Sequence, residues 1–115
     1  MNDEKYPAVY ILASRYRGTL YTGVTSGLWL RVCDHKNELH DGFTKQYGVK
    51  TLVWYEHHHL MEDAIRREKQ IKKWSRAWKF RIIEEMNPEW IDLHDSIDAN
   101  ATLVSAKAGS PPSRG

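Results

Sequence analysis

Hydrophobic residues gather into two short runs near the start of the chain, 6–13 (YPAVYILA) and 19–24 (TLYTGV), both rich in β-branched and aromatic types. The link between them, Ser14-Arg15-Tyr16-Arg17-Gly18, is short, polar and closed by glycine. This predicts two strands joined as an antiparallel hairpin. Thr25-Ser26-Gly27 then opens a helix over 28 to about 39, where Leu28, Val32 and Leu39 recur at helical spacing while Trp29 and Leu30 blur the stripe. The segment HDGFTKQYG (40–48) reads as loop and TLVWYE (51–56) as a third strand. Two more helices are expected, one over 61–74 and one from a Ser75 cap to about 86, where Asn87-Pro88 stops it. Beyond Asp98 the run ANATLVSAKAGSPPSRG has small residues, adjacent prolines and no apolar period, which predicts a disordered tail over 99–115. The expected fold class is α+β: one domain over 1–98, with a three-stranded antiparallel sheet flanked by helices.

Composition narrows the class. A chain of 115 residues leaves little room for a second core, and five Trp with six Tyr supply the apolar surface for one. No run approaches the roughly 20 apolar residues that span a bilayer, and MNDEKYPAVY lacks the apolar stretch of a signal peptide, so the cytoplasm is the expected location. Cys33 is the single cysteine and cannot form an intrachain disulfide. It is expected as a small buried hydrophobe with no chemical role.

Net charge is only +2, but it is unevenly spread. Residues 66–81 hold eight basic side chains (Arg66, Arg67, Lys69, Lys72, Lys73, Arg76, Lys79, Arg81) and one acid, Glu68, whereas 82–98 hold six acids and no Lys or Arg. Such a layout can offer one face to phosphates while the total stays low.

Glu68 breaks the pattern of its own helix. Ala64, Ile65 and Ile71 mark the expected buried stripe, and Glu68 shares their face. An unpaired buried carboxylate costs several kcal/mol or raises its pKa, so a cation, a metal ion or strong donors should accompany it. The bland alternative is an edge position that reaches water or a neighbouring Arg. Arg31 and His35, spaced i, i+4, share a face of the first helix, and hairpin pairing can bring Tyr10 and Tyr21 to one side of the sheet. Each alone is ordinary. Together, two phenols, a guanidinium, an imidazole and a carboxylate suit phosphodiester hydrolysis. A carboxylate-held metal polarises the phosphate, Arg stabilises its oxygens, and a Tyr whose pKa is lowered by a nearby cation serves as base.

In this order the residues resemble the GIY-YIG nuclease family, in particular its short bacterial, UPF0213-like proteins that consist of little beyond the domain. Val9-Tyr10-Ile11 and Tyr21-Thr22-Gly23 stand for the two tripeptides, followed by Leu30-Arg31 with His35, and by Glu68 within Arg66-Arg67-Glu68-Lys69-Gln70-Ile71-Lys72-Lys73-Trp74. The resemblance covers about residues 6 to 95. It implies a metal-dependent DNA endonuclease in which Tyr10, Tyr21, Arg31, His35 and Glu68 form the catalytic site. Glu68 would hold one divalent ion, Mg²⁺ or Mn²⁺, Arg31 would contact the scissile phosphate, and a tyrosine, by preference Tyr10, would activate water. Some relatives carry a lysine just after the second tripeptide, where this chain has Val24 and Thr25. Asn87 is a candidate for an asparagine that many relatives use, although a helix-ending Asn before Pro has a simpler structural role.

Other features carry weaker expectations. Adjacent side chains diverge, so His57, His58 and His59 suit structural or exposed roles better than one metal ion. Phe43, Thr44, Lys45 and Tyr47 can line the site mouth, and Arg67, Lys69, Lys72, Lys73 and Lys45 are the expected nucleic-acid contacts. Trp74 and Trp78 either stack on a base or fill the core. DNA is the expected partner, with no membrane and no small-molecule cofactor, and the chain is expected as a monomer acting in DNA repair or processing. The rival readings are a nucleic-acid-binding module with little intrinsic cleavage and a protein-interaction domain docking through its Trp-rich helix.

Overall fold

The computed structural model describes residues 6–37 and 42–97, without the side chains of Phe43 and Thr44. Leu39, Asp98 and the expected 99–115 tail lie outside the described residues. Strand β1 (Ala8–Ala13) is central in a three-stranded antiparallel sheet, between β2 (Leu20–Thr25) and β3 (Thr51–His57). All of β1 is buried, because helices cover both faces of the sheet. A strand covered on both faces reads as an unbroken apolar run rather than an alternating one.

Register decides what shares a face. Tyr10 lies opposite Gly23 on one side and Tyr55 on the other, and Leu12 lies opposite Tyr21 and Leu52. This face packs beneath α1 (Leu28–Lys36) through Leu28 and Val32, with Ile97 closing the cluster. On the other face Val9, Ile11 and Ala13 meet Ala64 and Ile71 of α3 (Met61–Lys72) and Ile83 of α4 (Arg76–Met86). The β3 register shifts at Ile11/Leu12, and this bulge turns both Val53 and Trp54 toward α3 and α4.

Two sequence expectations need correction. Residues 40–48, expected as loop, contain a short helix, α2 (Gly42–Tyr47), ended by Gly48 at φ 63. Its bracketing glycines mimic loop punctuation, and six residues are too few to display an apolar period. Ile65, expected on the buried stripe of α3, is exposed. The buried set is Ala64, Glu68 and Ile71, and Ile65 sits about 100° around the axis from Ala64. The blurred stripe of α1 resolves similarly, with Leu30 exposed and Trp29 half-buried against the cluster.

Polar clamps lock the layers. Ser75 caps α4 by accepting from the Trp78 N–H. Asn87 is buried; its Nδ2 donates to Val53 O (3.2 Å) and Ile91 O (2.8 Å), and its Oδ1 accepts from Ile91 N–H (3.1 Å). Those bonds give it the structural role its place before Pro88 suggests. Glu84 receives Arg17 Nε and Nη2 at 2.8 Å each and Trp90 Nε1 at 2.8 Å, tying the hairpin turn to α4. Asp92 accepts from Lys36 and from the backbone N–H groups of Leu52 and His94. Two acids of the 82–98 stretch therefore act as clamps. Cys33, expected as buried, is half-buried, 3.7 Å from His94 Nε2. No helix among the described residues is long and apolar enough to cross a membrane.

His57 gives the fold a pH dependence. Its ring packs edge-on to Tyr55, and its Nδ1 is buried with no partner among the described residues. Burial, and then repulsion from His58, push its pKa down to about 4. The unfolded chain takes up a proton near pH 6.5 that the folded one refuses. This contribution is complete above about pH 6.5 and is lost as pH falls toward about 4, a change of at most about 3 kcal/mol. Denaturant unfolding should show that loss in the native protein and a flatter profile in His57→Phe; an equally steep profile in the variant contradicts it.

Candidate active site

The glycine of the second tripeptide has a direct physical reason. Tyr10 and Gly23 are cross-strand partners, and a Cβ built on Gly23 would lie 2.6 Å from the Tyr10 hydroxyl oxygen. The Tyr10 ring therefore leans from the central strand across β2, through space that any other side chain would fill. Its hydroxyl ends 3.1 Å from His35 Nε2 on α1. Tyr10 and His35 are both fully buried, so this bond forms away from water, where hydrogen bonds are strong and orphaned groups costly. Tyr21 stands beside them, with ring centroids 6.3 Å from Tyr10 and 5.3 Å from His35, and is half-buried. The structure thus brings Tyr10, Tyr21 and His35 into one aromatic cluster between β2 and α1.

Arg31 lies one turn before His35 on the flank of α1 and is half-buried. Its backbone N–H bonds Gly27 O, and among the described residues its side chain makes no ion pair or hydrogen bond, so the guanidinium is available to an anion.

Glu68 approaches from another direction. It shares its stripe with Ala64 and Ile71, which pack on the face opposite the phenols, and α3 lies across β1 and β2. The aromatic cluster and α3 therefore lie on opposite faces of the sheet, and both border β2, one of its two edge strands. Glu68 is 8% exposed, and Lys72 Nζ sits 2.6 Å from its Oε2. The inward acid read from the helix pattern is thus real, and its partner is a lysine one turn on rather than an arginine.

The donor set matters for a metal ion. Among the described residues no group of three or more His, Cys, Asp or Glu side chains converges, so no all-protein metal cage surrounds Glu68. One carboxylate completed by water is how Mg²⁺ commonly binds proteins, and Mn²⁺ shares its preference for oxygen ligands. The residues present fit that kind of ion.

The remaining candidates separate. His57 is inward-facing, His58 Nε2 lies 2.9 Å from Glu56 Oε1, and His59 is exposed against Tyr6. Glu56 Oε1 also accepts from Arg67 Nε at 2.9 Å, while Arg67 Nη1 bonds Gln70 Oε1 at 2.7 Å. Arg67 is thus largely committed to holding α3 on β3. Lys69 and Lys73 are exposed and pair with no carboxylate among the described residues, whereas Lys72 is engaged by Glu68. Lys45 and Tyr47 are exposed on α2. Lys72, expected as a nucleic-acid contact, is instead the partner of Glu68, a pairing whose signal in the sequence is the i, i+4 interval.

A family model described as the GIY-YIG catalytic domain matches residues 6–81. The UPF0213 protein of Staphylococcus haemolyticus is 35% identical over 77 residues, covering 67% of this chain and 93% of that protein. The UPF0213 protein of Staphylococcus saprophyticus subsp. saprophyticus is 32% identical over 83 residues, covering 72% and 98% respectively. The UPF0213 protein of Syntrophus aciditrophicus is 38% identical over 82 residues, covering 70% and 92%. No solved structure matches the chain.

Proposed function

This chain belongs to the GIY-YIG family, and from that premise we propose that it is an endonuclease that hydrolyses DNA phosphodiester bonds with one divalent ion, Mg²⁺ or Mn²⁺, held at Glu68. The observation that carries this reading is the buried bond from the Tyr10 hydroxyl to His35, in space kept open by Gly23. A phenol is a poor base near neutral pH, and burial alone makes its anion less favourable. An imidazole placed to accept its proton is what the chemistry requires. Water entering beside the half-open Tyr21 gives a proton to Tyr10 as its oxygen bonds to phosphorus and the bond to the leaving sugar oxygen breaks; His35 takes up the phenol's own proton, and the leaving oxygen is protonated by solvent. Tyr21, the more open phenol, orients water or a phosphate oxygen at the entrance. Arg31 balances negative charge on the non-bridging oxygens. An ion held at Glu68 would supply Lewis-acid polarisation of the phosphate. We place this work on cellular DNA in the cytoplasm, in repair or processing, by a monomer.

Incubating the protein with supercoiled, branched and single-stranded DNA, in Mg²⁺, in Mn²⁺ and in chelator, tests the reading. Cutting that needs the metal supports it. Binding without cutting in any condition overturns it in favour of a binding module, and neither binding nor cutting leaves a protein-interaction domain.

Lys72 adds a prediction that does not depend on cleavage. Glu68 would hold the ion only by giving up its pair with the Lys72 ammonium, which occupies Oε2. Lys72→Met removes this competitor and is expected to tighten Mn²⁺ binding several-fold, read by calorimetry or electron paramagnetic resonance. Unchanged or weaker binding contradicts a metal site at this carboxylate.

A further inference from the structure

We propose that the corner between α3 and α4 is a second nucleic-acid site, one that holds an unpaired stretch of strand on the side of α3 turned away from Glu68. A shallow groove of about 500 Å³ is lined there by Arg66, Lys69, Gln70, Lys73 and Trp74. At about 100° per residue, Arg66, Gln70 and Lys73 point roughly 140–160° away from Glu68 around the helix, and Lys69 about 100°. These cations are therefore not the phosphate cradle of the catalytic centre. Lys69 and Lys73 lie on successive turns and are exposed, as suits tracking along a sugar-phosphate backbone.

The aromatic side chains decide what kind of strand fits. Trp74 lies at the end of the groove, and the Trp78 ring follows it at 6.3 Å between centroids, 55% exposed. Arg67 stands over Trp74 and Arg81 over Trp78, at 5.3 and 5.2 Å from the ring centres. An exposed indole backed by a guanidinium is a platform for a flat base. Duplex bases are already stacked on one another and have no free face to give it, whereas an unpaired base has. Partial burial, and then repulsion from Arg76 and Lys72, hold the Lys79 ammonium below the usual lysine range, a sign of crowded positive charge at this corner. The substrate class that uses both sites is DNA with an unpaired arm, cut near the arm. Only this last step rests on the nuclease reading; the binding itself needs no cleavage.

The test uses the full chain in chelator, so that a protein that never cuts DNA is still judged. Anisotropy and tryptophan fluorescence follow the binding of a labelled oligothymidylate and of a duplex of equal length over a range of salt. Lys69→Ala with Lys73→Ala is expected to weaken single-strand binding and lower the salt slope by about 1.4. Trp78→Ala is expected to cost about tenfold, and Trp78→Phe to keep most of the affinity. Duplex binding should change less than single-strand binding in every variant. Native-like single-strand affinity in both alanine variants overturns the proposal. An equal loss for the duplex overturns the preference for an unpaired strand.

Discussion

Glu68→Gln is expected to lower metal-dependent DNA cleavage by about a thousandfold or more while leaving the protein folded. The substitution keeps the size and shape of the side chain and removes the charge proposed to hold the ion. Its effect on stability should be small, because the carboxylate is nearly buried but its partner is not: Lys72 has half its side chain in solvent and can turn to water when the pair is broken. A neutral amide is also cheaper to bury than a carboxylate. Loss of cutting and of Mn²⁺ binding with an unchanged melting temperature is the expected pattern. Retention of cutting by Glu68→Gln would remove this residue from the site.

Tyr10→Phe is the second large effect. The ring still fills the space across Gly23, so the packing of β1, β2 and α1 survives. What is lost is the hydroxyl, and with it the proposed acceptor for a water proton, for an expected drop of about 10²–10⁴-fold in cleavage. The buried His35 Nε2 loses this bond, which should cost about 1 kcal/mol of stability. Tyr21→Phe should cost less activity, because the role proposed for its phenol is to assist at the entrance rather than to take the proton. A severe defect in Tyr21→Phe beside an active Tyr10→Phe would exchange the two roles.

Local order was readable where each signal has a local cause. The continuous apolar run of β1, the Ser75 cap and the stop at Asn87-Pro88 each depend on side chains within a few residues. The inward position of Glu68 was also readable, because helical spacing alone puts it with Ala64 and Ile71. The short helix α2 was not, since its glycine borders resemble those of a turn. Nor was the placement of α1 and α3 on opposite faces of the sheet. Periodicity reveals which side of a helix is buried but carries no information on which face of a sheet receives it. The packing of the aromatic cluster and of α3 on opposite faces beside β2, and the bond between residues as distant as Tyr10 and His35, emerge only when strand register and helix placement are known together. The orphaned nitrogen of His57 depends in the same way on packing across the sheet.

The central claim is that one ion binds where Glu68 and the tyrosine cluster flank β2, and paramagnetic broadening by Mn²⁺ in isotope-labelled protein tests it most directly. The account predicts that resonances of Glu68, Tyr21 and Gly23 broaden first at low Mn²⁺, and that this broadening vanishes in Glu68→Gln. Broadening centred on His57–His59 or on Asp92 and Asp95, with Tyr21 and Gly23 left sharp, would contradict it.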